Sequence, residues 1–161
     1  MLLRIIIITI YIIISCSSPA ISIDEFIVII SDKDTGRIIS SEVTKLGETI
    51  ILTWRNSLFN LEVTETYTIG DTFFEQTGVI FHDPYGKPEP VIKAEEIDDF
   101  YHTGGPFKVA NMSRAFKKIV FRIGEVGNPV IKLKGKDINL TSQVGFGGVV
   151  IVEIKGSSHF K

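Results

Sequence analysis

The residue with the clearest chemistry is Cys16, the only cysteine of the 161-residue chain, because a thiol that follows an export signal can be lipidated. An apolar run, Ile5–Ile14, follows the basic Arg4 and leads into Ser15 and Cys16. A positive start, an apolar stretch of about 7–15 residues and small residues at the cut are typical of a secretory signal. A peptidase that cuts before Cys16 would leave its thiol for diacylglycerol. The segment therefore predicts export and a lipid anchor on the outer face of the cytoplasmic membrane.

Two other interpretations of residues 1–20 stay open. An ordinary signal peptidase could cut after Ala20, with Ser18 and Ala20 as the small residues, and release the protein. The segment could also remain as an uncleaved anchor, although its apolar run is shorter than the roughly 20 residues of a spanning helix. All three interpretations assign residues 1–20 to targeting and residues 21–161 to one domain. Without Cys16 that domain has no internal disulfide, so its core must stabilise it alone.

Another polar group, Glu65, falls among apolar side chains. Side chains alternate between the two faces of a strand, so Glu65 shares a face with Val63 and Tyr67. By the same alternation, Asn56 falls on the apolar face of its strand, next in line after Trp54. A two-residue turn at Gly70-Asp71 would place Glu65 beside Gln76. The sequence therefore predicts a polar cluster of Asn56, Glu65 and Gln76 on a buried face. A buried carboxylate is costly unless it is hydrogen-bonded, so the cluster is either a structural node or part of a binding site.

The segment from His82 to Met112 contains residues that could belong to a metal site or, together with Ser57, to a catalytic triad. Its acids and histidines could ligate calcium, manganese or zinc, although their spacing matches no defined metal motif: His82, Asp83, Asp98, Asp99 and His102. Ser57, His102 and Asp98 could also form a hydrolytic triad, but no nucleophile elbow surrounds Ser57. We therefore expect a solvated acidic loop, with no metal, no cofactor and no catalytic residue.

The elements that must position these residues are strands. Helical periodicity is almost absent, apart from a turn or two at Met112–Phe116. Short β-rich runs separated by turn residues are typical of an all-β sandwich or barrel. We predict an antiparallel β-sandwich or partly open barrel of about 8–9 strands, from these runs: Glu25–Ile30, Arg37–Ser41, Glu48–Leu58, Leu61–Ile69, Thr72–Phe81, Lys118–Gly124, Pro129–Lys134, Asp137–Leu140 and Phe146–Ile154. The net charge of −2 gives no basic surface for nucleic acid.

Three segments resemble the domain of unknown function 1850 family, a group of small exported proteins of bacteria and archaea: Trp54–Ser57, Val63–Tyr67, and Phe81 with Tyr85-Gly86. Many members carry a histidine where this chain has Asn56, so a mechanism that needs that histidine is not implied. The family is often encoded beside membrane subunits of TRAP-type transporters for organic acids. The resemblance implies an accessory role in solute uptake and marks four positions of interest: Asn56, Ser57, Glu65 and Tyr67.

Three functions follow as hypotheses. The favoured one is an exported, membrane-anchored accessory or binding domain, which requires a pocket or patch at the strand ends that carry Asn56 and Ser57. A structural envelope domain would instead have a satisfied polar network and no pocket. An extracytoplasmic hydrolase would bring an acid, a base and a nucleophile within hydrogen-bond reach. The chain is small for a two-lobed solute receptor, which favours contact with a partner such as a transporter subunit.

Overall fold

A computed structural model describes residues 25–156 of the chain. The predicted targeting segment, with Cys16, lies outside these residues. Within the described range the chain forms eleven strands, two short α-helices and a 3₁₀ turn at Ala94–Glu96. The strands are β1 Glu25–Asp32, β2 Ile38–Lys45, β3 Thr49–Arg55, β4 Glu62–Ile69, β5 Phe74–Phe81, β6 Val91–Ile92, β7 Phe107–Phe116, β8 Lys118–Arg122, β9 Val130–Leu133, β10 Lys136–Asn139 and β11 Val149–Gly156. The helices are α1 Ile97–Thr103 and α2 Leu140–Val144.

The strands of the described region form two sheets. The smaller has four strands in the order β2-β1-β11-β8, and the larger has seven in the order β10-β9-β3-β4-β5-β7-β6. Every pairing is antiparallel except the short parallel pair of β6 and β7. The sheets do not join into a closed barrel, so the predicted all-β fold is confirmed in its sandwich form.

Two hydrophobic clusters fill the space beneath the larger sheet. The first lies between the sheets and joins residues such as Val28, Ile30 and Val152 of the smaller sheet to Leu52 and Leu133 of the larger one. The second joins the β4–β5–β7 part of the larger sheet to Ile97 and to Phe100 and Tyr101 of α1. Because the larger sheet is three strands wider, α1 covers the apolar surface that the smaller sheet does not reach. Trp54 packs against both clusters.

Antiparallel pairing gives the sandwich two distinct ends. We call the end where β1 begins the proximal end; there Glu25 pairs with Lys45, and Lys118 pairs with Glu153. The larger sheet turns at the same end in the loops between β4 and β5 and between β9 and β10. At the other end, which we call the distal end, lie the loops that follow β1, β3, β5, β8 and β10.

The structure corrects several predicted boundaries. The segment Met112–Phe116, predicted as a helical turn, belongs to β7, because its backbone completes the ladder with β5, from Phe74–Phe116 to Phe81–Phe107. The strand predicted as Glu48–Leu58 ends at Arg55, and the one predicted as Arg37–Ser41 runs to Lys45. The helix α2 starts at Leu140, within the end of a predicted strand, after the side chain of Asn139 accepts a hydrogen bond from the Ser142 amide at 2.9 Å.

The hairpin between β4 and β5 also differs from the prediction. Its loop is Gly70–Phe73, closed by the Gly70 N–H donating to the Phe73 carbonyl at 2.8 Å. A register shift follows between Thr66 and Tyr67. Glu65 therefore lies opposite Val79, and the predicted pairing of Glu65 with Gln76 is wrong. The loop is two residues longer than the two-residue turn, and the bulge adds a further offset.

The segment after β5 is more ordered than a solvated loop. It contains β6, the 3₁₀ turn, α1 and the start of β7, and it contributes Ile92 and Ile97 to the second hydrophobic cluster. None of the helices between residues 25 and 156 is long and apolar enough to cross a membrane.

Candidate functional site

Glu65 is the centre of a buried polar node on the inner face of β4. Trp54 donates its indole N–H to Oε1 of Glu65 at 3.1 Å, and the Tyr67 hydroxyl donates to Oε2. Trp54 lies on β3 and Tyr67 on β4, so strand pairing and strand alternation bring the three side chains to one face. Both carboxylate oxygens thus have a donor. The prediction that Glu65 lies on the buried face is confirmed.

The electrostatics of this node follow from its position between the two hydrophobic clusters. Burial raises the pKa of Glu65, and the hydrogen bonds from Tyr67 and Trp54 oppose that rise only in part. Burial and the adjacent Glu65 charge raise the pKa of Tyr67. The same two causes raise the pKa of Tyr101, on α1, to about 12. The node is therefore a satisfied carboxyl with suppressed ionisation, which suits a structural role.

Asn56 does not join this node. It follows the last residue of β3, and its Oδ1 accepts hydrogen bonds from the amides of Leu58 at 3.0 Å and Phe59 at 2.9 Å. The Asn56 amide donates to the Leu61 carbonyl at 2.8 Å, which closes the loop from 56 to 61. Asn56 thereby ends the strand and fixes the loop, a role that Asn side chains commonly take in turns. Ser57 is exposed in the same loop.

The five predicted site residues are thus divided between two places. Glu65 and Tyr67 form the buried node, whereas Asn56 and Ser57 lie in the distal loop after β3. Gln76 is buried opposite Tyr67, because the four-residue loop between β4 and β5 displaces it from Glu65. The predicted cluster of Asn56, Glu65 and Gln76 is therefore wrong, although Trp54 lies beside both places through its ring and its N–H.

A cleft of about 380 Å³ opens at the distal end beside Asn56. We call it the Asn56 cleft; residues 54–58 form one side, and residues 121, 122 and 124–127 form the other. Leu58 is 80% exposed and Val126 50% exposed on its two rims. The ring of Trp54 packs edge-on against Phe121 at 6.0 Å within it. Arg55, Arg122 and Glu125 supply charge around an apolar floor.

A backbone hydrogen bond joins the two sides of the cleft. The Arg55 amide donates to the Gly127 carbonyl at 2.8 Å, which ties the end of β3 to the loop between β8 and β9. Arg55 also donates to the side chain of Asn60 at 3.1 Å. A second depression, of about 410 Å³, shares Trp54, Arg55, Val126 and Gly127 with the Asn56 cleft. The two depressions therefore adjoin at the end of β3, and the second extends from there along β3 and β9.

His82 takes part in a different arrangement on the outer face of the larger sheet. Its Nε2 lies 2.9 Å from the Thr64 hydroxyl oxygen, and its Nδ1 lies 3.5 Å from Oε1 of Glu89. Backbone hydrogen bonds lower the pKa of Glu89 most strongly, and His82 contributes less to that lowering. The arrangement places a carboxylate, an imidazole and a hydroxyl in series. This is the order of groups in a general-base relay.

The residues predicted to form a metal site or a Ser-His-Asp triad do not form a comparable hydrogen-bonded cluster. Within residues 25–156, no group of three or more His, Cys, Asp and Glu side chains is placed to hold a metal ion. Asp98 lies 3.7 Å from Arg114 instead, on the side of α1. The loop after β5 contains His82, Asp83 and Glu89. In this loop, Oδ1 of Asp83 accepts hydrogen bonds from the backbone amides of Tyr85 and Lys87.

Comparison of the chain with protein-family models, curated protein sequences and solved structures finds no match. The resemblance to the domain of unknown function 1850 family therefore remains a prediction from three short segments.

The sequence interpretation missed two features. Leu58 and Val126 come together only through the contact between two distal loops that are 68 residues apart in the chain. The relay of Thr64, His82 and Glu89 could have been found in part, because alternation places Thr64 on the face opposite to Glu65. The position of His82 beside Thr64 also required the correct register of β4 and β5.

Proposed function

We propose that this protein is an exported, membrane-attached accessory domain that binds a partner protein through the Asn56 cleft. The observation that carries the proposal is the cleft itself, whose rims expose Leu58 and Val126 above an apolar floor. Exposed apolar side chains rimmed by charges are typical of protein interaction sites. The partner class we propose is a membrane subunit of a TRAP-type solute transporter, which is the association that the family resemblance implies.

The two alternatives account for fewer of these features. A structural envelope domain explains the satisfied node of Glu65, Trp54 and Tyr67. It gives no reason for Leu58 to lie 80% exposed on the rim of a cleft. Glu65 is also a poor catalytic acid, because both of its oxygens already accept hydrogen bonds from the protein.

Cross-linking in living cells tests the partner contact. A photo-reactive amino acid replaces Leu58 in one strain and Tyr85 in another; Tyr85 is 85% exposed at the same distal end but outside the cleft. We expect an adduct with an integral membrane transporter subunit from position 58 and not from position 85. Val126→Asp, on the opposite rim, should remove that adduct. Equal adducts from both positions, or none from position 58, would contradict the proposal.

Membrane attachment is tested separately at Cys16. Cys16→Ser should move the protein from the membrane fraction to the soluble extracytoplasmic fraction, because the thiol that carries the lipid is lost. Ser17→Ala is the matched control and should stay membrane-bound. If the Cys16→Ser protein remains attached, the lipid anchor is wrong and the uncleaved anchor replaces it.

The relay of Thr64, His82 and Glu89 favours a second candidate function, ester hydrolysis. In this chemistry His82 Nε2 accepts the hydroxyl proton while Thr64 Oγ1 bonds to the carbonyl carbon. The ester C–O bond then breaks, and the proton passes to the departing alkoxide. Water, deprotonated by His82, then adds to the acyl carbon; the bond from that carbon to Thr64 Oγ1 breaks, the acid leaves, and His82 returns the proton to Thr64 Oγ1. The probe is 4-nitrophenyl acetate: His82→Ala and Thr64→Val should abolish turnover, whereas Thr53→Val, across the strand pair from Thr64, should not. A wild-type protein without turnover would exclude hydrolysis of this ester.

A further inference from the structure

The proximal end of the sandwich carries a surface with a different character from the distal cleft. Three loops meet there: the β2–β3 loop, the β4–β5 loop and the β7–β8 connection. The first two are joined directly, since the Gly47 amide donates to the Ile69 carbonyl at 2.9 Å. Both sheets therefore contribute to one continuous face.

This proximal face exposes apolar side chains directly beside lysines. Leu46 is 52% exposed and follows Lys45, and Phe116 is 38% exposed and precedes Lys117 and Lys118. Phe73, in the β4–β5 loop, is also 38% exposed. Apolar and aromatic side chains flanked by lysines suit the boundary between lipid headgroups and acyl chains, because the apolar part enters while the ammonium group stays at the headgroups.

The lysines of this face differ in whether acids already neutralise them. Lys134, Lys136 and Lys155 lie within 3.7, 2.7 and 3.4 Å of Glu48, Glu42 and Glu153 respectively. Within the described part of the chain, Lys45, Lys117 and Lys118 form no such ion pair. Two exposed acids, Glu25 and Asp71, lie at the same end. Although Lys45 and Lys118 lie across a strand pair from Glu25 and Glu153, the ammonium groups of Lys45, Lys117 and Lys118 form no close ion pair in the described residues and are available to an anionic surface.

The distal end has the opposite charge pattern. The segment from residue 82 to 106, which leaves from and returns to the distal end, contains six acidic residues and two lysines; one of the acids, Asp98, is paired with Arg114 of β7. An anionic membrane would repel this segment and attract the proximal lysines. The charge distribution therefore selects one orientation of the sandwich.

Chain length permits the same orientation. Glu25, the first residue of β1, is nine positions after Cys16. At about 3.3–3.6 Å per residue, a fully extended chain spans at most about 32 Å over that distance. The distal end lies further along β1, by about 26 Å for an eight-residue strand. An anchor at Cys16 can therefore hold the proximal face next to the bilayer, and the charge distribution decides between the two ends.

We propose that the proximal face, formed by Lys45-Leu46, Phe73 and Phe116–Lys118, docks on an anionic lipid bilayer and turns the Asn56 cleft away from it. This inference rests on the membrane attachment in the proposed function. It deepens that proposal, because the partner must then reach the cleft from above the membrane surface and not from within the bilayer. A basic patch strengthens a lipid anchor in the same way in other anchored proteins.

Hydrogen exchange on the full lipidated chain tests the orientation. The protein is reconstituted into vesicles of phosphatidylcholine alone or of phosphatidylcholine with phosphatidylglycerol. On the anionic vesicles, we expect exchange of the amides in residues 45–48, 71–73 and 116–118 to slow about tenfold relative to the neutral vesicles. Amides of residues 57–60 and 124–128 should exchange alike on both. The difference should disappear at 1 M salt, where the screening length is about 3 Å.

Paired charge reversals give the matched control. Lys117→Glu with Lys118→Glu should abolish the slowing, whereas Lys33→Glu with Lys87→Glu, two exposed distal lysines, should leave it unchanged. Protein that floats with the vesicles but exchanges equally on both lipids overturns the docking inference alone. Slowing of the distal amides overturns it as well, because the orientation is then reversed. Wild-type protein that fails to float overturns the attachment and the inference together.

Discussion

Trp54 Nε1 lies 3.1 Å from Oε1 of Glu65, while the ring of the same tryptophan lines the Asn56 cleft. One side chain therefore contacts both the buried carboxyl and the concavity at the distal end. Trp54 is the only tryptophan of the chain, so its fluorescence reports on either place without interference from another indole.

Removing the carboxyl should destabilise the domain. Glu65→Ala leaves the Trp54 N–H and the Tyr67 hydroxyl without their acceptor, and a buried unsatisfied donor costs about 1–3 kcal/mol. We expect the free energy of unfolding, measured by urea denaturation, to fall by about 2–4 kcal/mol. Glu62→Ala, on the exposed face of the same strand, should cost less than about 1 kcal/mol. Equal losses in the two variants would show that the node contributes nothing specific.

The node should also make stability depend on pH. Burial raises the folded-state pKa of Glu65 above its ordinary value of 4.5. The contribution of Glu65 to stability is therefore fully present below about pH 4.5 and is lost as the pH rises through the folded pKa. Glu65→Gln removes this titration. The stability of the wild type relative to Glu65→Gln should thus decrease with pH above 4.5, as measured by unfolding at several pH values.

Taking the difference between the two proteins cancels other titrating carboxyls. Hydrogen bonds, chiefly from Thr35, lower the pKa of Asp32, and the hydrogen bond from Lys136 lowers the pKa of Glu42. These groups stabilise the fold as the pH rises, in the opposite direction to Glu65. Wild-type Trp54 fluorescence should titrate with a midpoint above 4.5 and that of Glu65→Gln should not. A flat wild-type profile would contradict the raised pKa.

Asn56 should stabilise the fold through its side-chain oxygen and not through its side-chain nitrogen. Asn56→Ala removes the acceptor of the Leu58 and Phe59 amides, and the expected loss of stability is about 1 kcal/mol. Asn56→Asp keeps an acceptor and should stay within about 0.5 kcal/mol of the wild type, as should exposed Ser57→Ala. Thermal or urea unfolding measures all three. A loss in Asn56→Asp as large as in Asn56→Ala would mean that the amide nitrogen has a partner of its own.

Alanine substitutions at the two glycines after α1 test the packing contact between Gly104 and Phe59. Gly104 and Gly105 both have positive φ angles, +77° and +101°, so alanine is strained at either position. A Cβ on Gly104 would clash with the ring of Phe59, whereas one on Gly105 meets nothing within 4 Å. Gly104→Ala should therefore cost about 1–3 kcal/mol more than Gly105→Ala in unfolding measurements. Equal costs would show that Phe59 moves aside freely.

The strands were largely predictable because their signal is local. Alternation of apolar and polar residues located β3, β4 and β5 and placed Glu65 and Tyr67 on the inner face. By contrast, β7 escaped prediction, since Met112–Phe116 shows no alternation strong enough to reveal its pairing with β5. The helix α1 is only seven residues long and forms against the second hydrophobic cluster, so its stability comes from tertiary contacts.

The candidate site was only partly predictable, because its neighbours depend on the register of the strand pairing. A shift of one residue changes which side chains are neighbours across a strand pair. The four-residue loop Gly70–Phe73 placed Gln76 opposite Tyr67, and the bulge between Thr66 and Tyr67 placed Glu65 opposite Val79. Trp54 took its place as the partner of Glu65 from the neighbouring strand.

The sequence by itself determined a β-rich chain with one cysteine, an inward-facing Glu65, and an N-terminal segment that predicts membrane attachment. Those features depend on residue type and on the period of two along a strand. Only the tertiary structure decided that Leu58 and Val126 flank one cleft, and that Lys45, Phe73 and Lys118 share the proximal face. Both surfaces are made by loops distant in sequence, which antiparallel strand pairing brings to the same end of the sandwich.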